Sequence, residues 1–420
     1  MAQNPDHSLP KAHDQWADLK AAYRFLANPR IQPQQITLPH RQQTAERAAQ
    51  ETVILCVQDG TDFAAVKVPG NTHVMHSTLA ITPDGTLLGM LDQRWYERVN
   101  VPVGETPKQR TQRWRESDIW LESVKAIGPS PAHCRYLHVA DRAADDLRLM
   151  HACVEQQCGF VVRSQTNRRL ESSDAHLREH LQNQSICGMM TVQVGEQRNT
   201  LGRIVRRGRQ ANMAVRYATV RLAKPQNHPG SGDAMTVQAV SLCEVDPPSD
   251  VQGVQWFLLT SEAVDDFESA QQIINHYQRR WVIEEWHRAL KEGCRLERSQ
   301  LNDVASLKRL AAILCVVAVR LLQLRDLADA QRHGEAAQDP IVLQRTVPEL
   351  WRVVVSTLAK VGVEQLTPRL FWETIARKGG WIGRKSDGRP GWKTIWLGWA
   401  DLATMVQGAQ LYKQSQKSCG

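Results

Sequence analysis

Two β-branched runs that stop on an aspartate constrain this chain more than any other feature of its sequence. ETVILCVQDG (51–60) is a continuous apolar stretch that reads as a buried strand ending in Asp59-Gly60 and running into a loop. CRYLHVAD (134–141) is a second short buried strand, closing on Asp141. In an open α/β sheet, ligand sites collect at the carboxyl ends of strands, where a fixed backbone lets a side chain emerge into a crevice. Taken singly, each aspartate is one of 44 acidic residues and is better explained by capping the next turn.

The pattern around these strands predicts a mixed α/β core. HVMHSTLAITPDGTLLGMLDQRW reads as two strands joined at Pro83-Asp84-Gly85, a strong hairpin turn. AADDLRLMHACVEQQ is an amphipathic helix, and CGFVVRS (158–164) a further strand. From about 166 to 255 the helical signal nearly vanishes, and apolar residues alternate with basic ones as in an antiparallel sheet with one solvated face. VQWFLLTS (254–261) resumes the buried-strand pattern; a long helix from about Ser269 to Gly293 and a largely buried helix in ASLKRLAAILCVVAVRLLQLRDLADA follow. Gln331 to Val342 reads as a polar linker, and 343–420 as helical, with tryptophans at 351, 372, 381, 392, 396 and 399. At the other end a polar arm (1–15) precedes a helix from Trp16 to Phe25, a turn at Asn28-Pro29 and the start of another helix.

Composition excludes several classes. The longest apolar run, Leu310 to Val319, is closed by Arg320 and falls short of the ~20 residues of a membrane-spanning helix. MAQNPDHSLPKAHDQW carries no basic segment followed by an apolar one, so a secretory signal is not expected and the expected location is the cytoplasm. Nine scattered cysteines without a CxxC pair read as free thiols; His151, Cys153 and Cys158 lack a second ligand pair at zinc-finger spacing. Lys plus Arg is 52 against 44 acidic residues, a net charge of +8 that points to a polyanionic partner.

The chemistry concentrates on the expected helix near residue 280. Tyr277, Arg280, Glu284 and Lys291 are spaced by 3, 4 and 7, which puts all four on one stripe of a 3.6-residue helix. A surface ion pair between Arg280 and Glu284 accounts for the charges, but not for the tyrosine or its neighbours Trp281, Ile283 and Trp286.

This Tyr-x2-Arg-x3-Glu-x6-Lys pattern resembles the signature of the bacterial DDE transposases of the insertion-sequence-four group, the Tn-five-like transposases in particular. QDGTD around Asp59 and HVADRAAD around Asp141 resemble the blocks that hold the family's two catalytic aspartates. CGFVVRS, QWFLLTSEAV, HYQRRWVIEEWHRALKEGC and LAAILCVVAVRLLQLRDL extend the match, and ARKGGWIGRK through WLGWADL resembles the family's C-terminal dimerisation segment.

The resemblance implies a ribonuclease-H-like catalytic core at about 46–330 with a β-rich insertion at about 166–255. It also implies a remnant of an N-terminal DNA-binding domain at 1–45 and a C-terminal helical dimerisation domain at 343–420. The implied activity is cut-and-paste DNA transposition by a homodimer acting on transposon ends and target DNA, in the nucleoid of a bacterial cytoplasm. Asp59, Asp141 and Glu284 are then the catalytic metal ligands, holding two Mg²⁺ ions for which Mn²⁺ substitutes. Three carboxylates suit in-line displacement at phosphorus, where two cations offset charge on the attacking and leaving oxygens. Arg280 and Lys291 would hold DNA phosphates, with Tyr277 beside them and Arg163 at a DNA-contacting position. Trp256 and Trp281 match places where aromatic rings pack at a base flipped from the transposon end. Arg203, Arg206, Arg207 and Arg209 either line DNA or form a solvated sheet face. Only the end of the family's N-terminal module, around WADLKAAYRFLANP, is recognisable. An alternative is therefore a truncated, inhibitor-like regulator that pairs with full-length transposase; a plain metal-dependent nuclease leaves the C-terminal block without a role.

Overall fold

The computed structural model describes residues 8–418 apart from 14, 64–71, 99–102, 107–108, 110–112, 172–174, 200–202, 226–231, 250, 252, 302 and 385–386. The chain divides into two units, one holding residues 41–63 and 70–284, the other taking residues up to His40 and from Glu285 onward.

The first unit is built on a mixed sheet of nine strands. A meander of β1 (Val53–Phe63), β2 (His73–Ile81) and β3 (Leu87–Glu97) forms one edge. Parallel β4 (Arg135–Ala140) and β5 (Gly159–Arg163) follow beside β1, as right-handed strand-helix-strand crossovers allow. The hairpin between β2 and β3 turns where expected: Asp84 accepts from Thr86 Oγ1 at 3.1 Å, and Gly85 adopts φ +104°, a region closed to most side chains. One face of the sheet is covered by α3 (Asp118–Ile127) and α4 (Leu147–Glu155), which bury Trp120, Val124, Met150 and Cys153 against Tyr136 and Phe160.

The β-rich stretch is confirmed and its place clarified. After α5 (Leu177–Gln182), strand β6 (Gly188–Val194), the short separate pair β7 (Gln197–Arg198) and β8 (Ile204–Arg206), β9 (Arg209–Leu222), β10 (Met235–Glu244) and β11 (Gln255–Thr260) complete the strand set. The sheet order is β3-β2-β1-β4-β5-β11-β10-β9-β6, so the insertion continues the core sheet instead of forming a body of its own. Helices α3 and α5 go beyond the sequence reading, because both are short amphipathic segments flanked by polar residues.

Two helical expectations are corrected. The single helix over 269–293 is two, α6 (Phe267–Gln278) and α7 (Trp281–Arg288), followed by a π turn at Ala289–Gly293. The polar linker is largely helical: α8 (Val304–His333) runs into it, and α9 (Pro340–Thr346) starts before its end. Asp339 caps α9 by accepting from Ile341 N at 2.9 Å, and Pro340 sits at the first turn, where a missing N–H costs nothing.

In the second unit α8 docks on α1 (Trp16–Ala27) through polar groups. Ser306 Oγ donates to Leu26 O at 3.0 Å, and Arg309 donates to Leu26 O at 2.9 Å and Ile31 O at 2.7 Å. The C-terminal helices α10 (Glu349–Ala359), α11 (Pro368–Lys378) and α12 (Trp392–Ser418) bury Phe371, Trp372, Ile375, Ile395, Leu402 and Val406 together. Trp372 stacks on Trp399 at 5.6 Å, and Trp351 lies 4.7 Å from Trp399, so these tryptophans are used inside the unit. α2 (Pro33–Ala48) carries the chain from one unit to the other. The described cysteines are free, as expected; Cys419 lies outside the described residues. Among the described residues no helix is long and apolar enough to cross a membrane.

α11 and α12 touch backbone to backbone. A Cβ on Gly398 would lie 1.8 Å from Ile375 O, and one on Gly379 1.9 Å from Thr394 O. Gly398→Ala is therefore expected to destabilise by about 3 kcal/mol or more, because neither contacting atom belongs to a movable side chain. Gly408→Ala, on the same helix with open space around it, should be neutral or stabilise by up to about 1 kcal/mol. Thermal unfolding of the two variants checks the contrast.

Candidate active site

Sheet register alone assembles the first part of the site. Val57 of β1 is opposite Val139 of β4, which is opposite Val161 of β5. Advancing two residues along each chain keeps the same face of the sheet and reaches Asp59, Asp141 and Arg163. Arg163 is opposite Leu258 of β11, so Trp256, two residues from Leu258, shares that face. Asp59 does not end its strand as expected: β1 continues to Phe63 by antiparallel pairing with β2, and only the parallel ladder to β4 stops before it. Asp141 does follow the last residue of β4 and also caps a one-turn helix, its Oδ1 accepting from Ala143 N at 2.8 Å.

The break between α6 and α7 aims two consecutive arginines at different targets. Val282 N bonds Arg279 O and Ile283 N bonds Arg280 O, both at 3.1 Å, so the chain tightens to an i to i+3 turn there. Arg279 Nε donates to Pro83 O at 3.0 Å and ties the turn to the β2–β3 hairpin. Arg280 enters the site, its Nη1 donating to Asp59 Oδ2 at 3.3 Å and its Nη2 to Glu284 Oε1. Glu284 lies in the first turn of α7 and is the last residue of this unit.

The charges of the three acids meet at Asp59. Burial pushes its pKa up to about 7, Arg280 opposes the rise, and Asp141 and Glu284 add to it. A carboxylate surrounded by two others in a poorly solvated place favours any cation that enters, and the Arg280 guanidinium now meets part of that demand. Among the described residues no three His, Cys, Asp or Glu side chains already enclose a metal-sized point. The donor set nonetheless fits a hard divalent cation, which takes a few carboxylates and completes its shell with water and phosphate oxygens.

An aromatic and cationic ladder leads away from the acids. Arg280 Cζ lies 6.0 Å from the Tyr277 ring, Tyr277 meets Trp256 edge to face at 5.2 Å, and Arg163 Cζ lies 5.9 Å from the Trp256 ring. Contacts of these kinds contribute about 0.5–1.5 kcal/mol each. Tyr277 is buried, Trp256 half-buried, and Arg163 is anchored by a 3.1 Å bond to Gln255 O.

Trp281 and Lys291 complete the expected set. Trp281 is 54% exposed at the start of α7, which removes it from the sheet core. Lys291 belongs to the other unit, on the π turn, where its Nζ is 3.2 Å from Glu297 Oε1. Of the stripe expected from helical spacing, Tyr277, Arg280 and Glu284 are joined by contacts through Arg280. Of the basic stretch, Arg209 pairs with Glu244 at 2.7 Å, while Arg203 and Arg207 are exposed.

Three further residues escaped sequence reasoning. Ser77 is the cross-strand partner of Asp59 and fully buried. On the opposite face Gln58 Nε2 donates to His138 Nδ1 at 2.7 Å, and burial lowers the His138 pKa to about 3, which keeps the ring neutral and able to accept. Their signal was available: Gln58 and His138 are the polar interruptions in the two apolar strands.

Three family models match the chain: a transposase DDE domain over residues 112–320, a Tn5 transposase dimerisation domain over 338–420, and a transposase DNA-binding domain over 1–31. A mixed ribonuclease-H-like sheet joined to DNA-binding and dimerisation segments defines an enzyme that moves DNA strands by phosphoryl transfer. The chain belongs to the DDE transposases, of the Tn5-like kind. It is a transposase that cleaves and joins DNA with divalent metal ions, and its partners are DNA and a second copy of itself. Nothing in these matches favours the inhibitor reading.

The raised pKa of Asp59 sets a sign for stability. The folded state holds its proton up to about pH 7 and the unfolded state releases it near 3.8, so without metal the fold loses stability as pH rises across that window. Asp59→Asn should flatten this decline, gaining stability on the order of a few kcal/mol for the metal-free protein at pH 8 and raising its thermal midpoint there. A wild-type midpoint that rises between pH 5 and 7, with the variant unchanged, would contradict the buried-carboxylate account.

Proposed function

We propose that Asp59, Asp141 and Glu284 are the catalytic carboxylates and hold two Mg²⁺ ions, with Mn²⁺ able to substitute, in a transposase of the insertion-sequence-four group. The observation that carries this reading is the convergence of the Asp141 and Glu284 charges on buried Asp59, with one arginine bridging Asp59 and Glu284. Asp59, whose charge both other acids feel, would hold the ions together with Asp141 and Glu284. When bound, the cations activate a water or 3′-hydroxyl and offset charge on the leaving oxygen.

The chain's own groups do the rest. Arg280, beside the acids, would offer its guanidinium to the phosphate next to the scissile bond. The Tyr277 ring beside it limits the directions the guanidinium can take. Arg163 and Lys291 contact backbone phosphates, and Trp256 and Trp281 offer faces to an unstacked base; the half-buried ring of Trp256 and the exposed ring of Trp281 both leave surface for stacking. Residues 1–45 form a DNA-binding segment, about 46–330 the catalytic domain with its insertion at about 166–255, and 343–420 the dimerisation domain. The protein acts on transposon ends and target DNA at the nucleoid in the cytoplasm.

Alanine at Asp59, Asp141 or Glu284 should abolish strand cleavage while keeping folding stability within about 2 kcal/mol of wild type or above it, because each removes charge repulsion at the site. Retained cleavage in any one of them sinks that assignment.

Association should draw on residues that the core leaves outside. Trp372, Trp392 and Trp396 are buried within their unit, whereas Leu411 and Tyr412 on α12 are 66% and 67% exposed. Replacing both with aspartate is expected to leave the fold intact and give a monomer by light scattering; a dimer of unchanged strength places the interface elsewhere.

A further inference from the structure

A second cationic feature, in the C-terminal unit, has no part in the active site. A cavity of about 440 Å³ is lined by Arg332, Arg369, Arg377, Arg384 and Arg389 around Glu373. Glu373 is shared by three of them, with Arg369 Nε at 3.1 Å and Arg332 Nη2 and Arg377 Nη2 each at 3.7 Å. Arg389 Nη1 is 3.2 Å from Asp329. Five guanidinium groups thus face two carboxylates.

The cavity also holds donors with nothing to bind. Arg332 is only 7% exposed, its guanidinium packs 4.7 Å from the ring of Trp381, and its Nε and Nη1 are buried without an acceptor. Trp381, also lining the cavity, buries an indole N–H that finds no acceptor either. A buried donor left unsatisfied costs about 1–3 kcal/mol, so three of them together favour a ligand that brings acceptor oxygens. Surplus positive charge makes that ligand an anion, and the flat fork of a guanidinium matches phosphate oxygens two at a time.

We propose that this cavity seats a backbone phosphate of bound DNA, giving the dimerisation segment a DNA contact of its own. The arginines at the rim favour a polymer over a small free anion: the side chains of Arg369, Arg377 and Arg389 are 54–57% exposed and extend the positive surface outward from the buried Arg332. A phosphodiester chain uses both parts, one phosphate entering and its neighbours lying along the rim.

The test uses the full chain and duplex DNA of arbitrary sequence, with affinity measured over a range of salt. In Arg369→Gln/Arg377→Gln the slope of log affinity against log salt should become shallower by about 0.9 for each phosphate that the variant no longer neutralises, with the light-scattering mass unchanged. Both side chains are more than half exposed, so the variant should fold; Arg389→Gln alone provides the same measurement if it does not. A slope equal to wild type overturns the proposal. Inorganic phosphate, compared with chloride at equal ionic strength, separates the two sources of the chemistry. Thermal stabilisation of wild type by phosphate, absent in the variant while the DNA slope stays the same, assigns the cavity to a free anion and overturns the DNA contact.

Discussion

Asp59 carries a negative charge that its surroundings resist. It sits inside a strand of the central sheet, in reach of two further carboxylates, and burial together with those charges moves its proton affinity toward neutral pH against the pull of Arg280. A fold that keeps such a residue must supply positive charge, and here Arg280 supplies it. The break between α6 and α7, the tie of Arg279 to the β2–β3 hairpin and the first turn of α7 all follow from bringing Arg280 and Glu284 to that point. The same guanidinium touches two of the three acids, Asp59 and Glu284.

The sheet divides its two faces between stability and chemistry. One face is an unbroken apolar layer under α3 and α4, with the neutral Gln58–His138 pair set into it. The other carries the row of Asp59, Asp141 and Arg163 and, one strand further, Trp256. A one-residue slip between β1 and β4 would send either aspartate to the wrong face, so the β-branched runs that precede them fix the site as well as the core. The second unit makes similar use of its tryptophans: those at 351, 372 and 399 hold its helices together, and glycines at 379 and 398 let two of those helices meet at the backbone.

Much of this was legible in the residues. The strand that closes on Asp141, the Pro83-Asp84-Gly85 turn and the β-rich stretch after residue 166 stand where pattern puts them, since period-two burial and turn chemistry are local properties, whereas β1 runs past Asp59 because it pairs on with β2. The continuous helix over 269–293 failed for a physical reason. Spacing reports that Tyr277, Arg280 and Glu284 share a face, but the tightened turn after Gln278 and the π turn after Arg288 barely change that spacing. They come from tertiary demands, Arg279 reaching Pro83 and Gly293 admitting the ring of Trp392. The polar linker failed in the opposite way, because composition there is hydrophilic while Asp339 and Pro340 supply a helix start that only the cap geometry reveals.

The sequence by itself picked out the candidate site residues, since charge and aromatic character are written in the chain. It also determined the order of the elements, and through its resemblance the family. Tertiary structure decided what those residues experience. Only register aligns Asp59, Asp141 and Arg163 in one row, only burial and neighbouring charge move the Asp59 proton toward neutral pH, and only helix packing leaves Arg332 with donors facing an open cavity. Those properties depend on distances between residues far apart in the chain, and a one-dimensional pattern does not contain them.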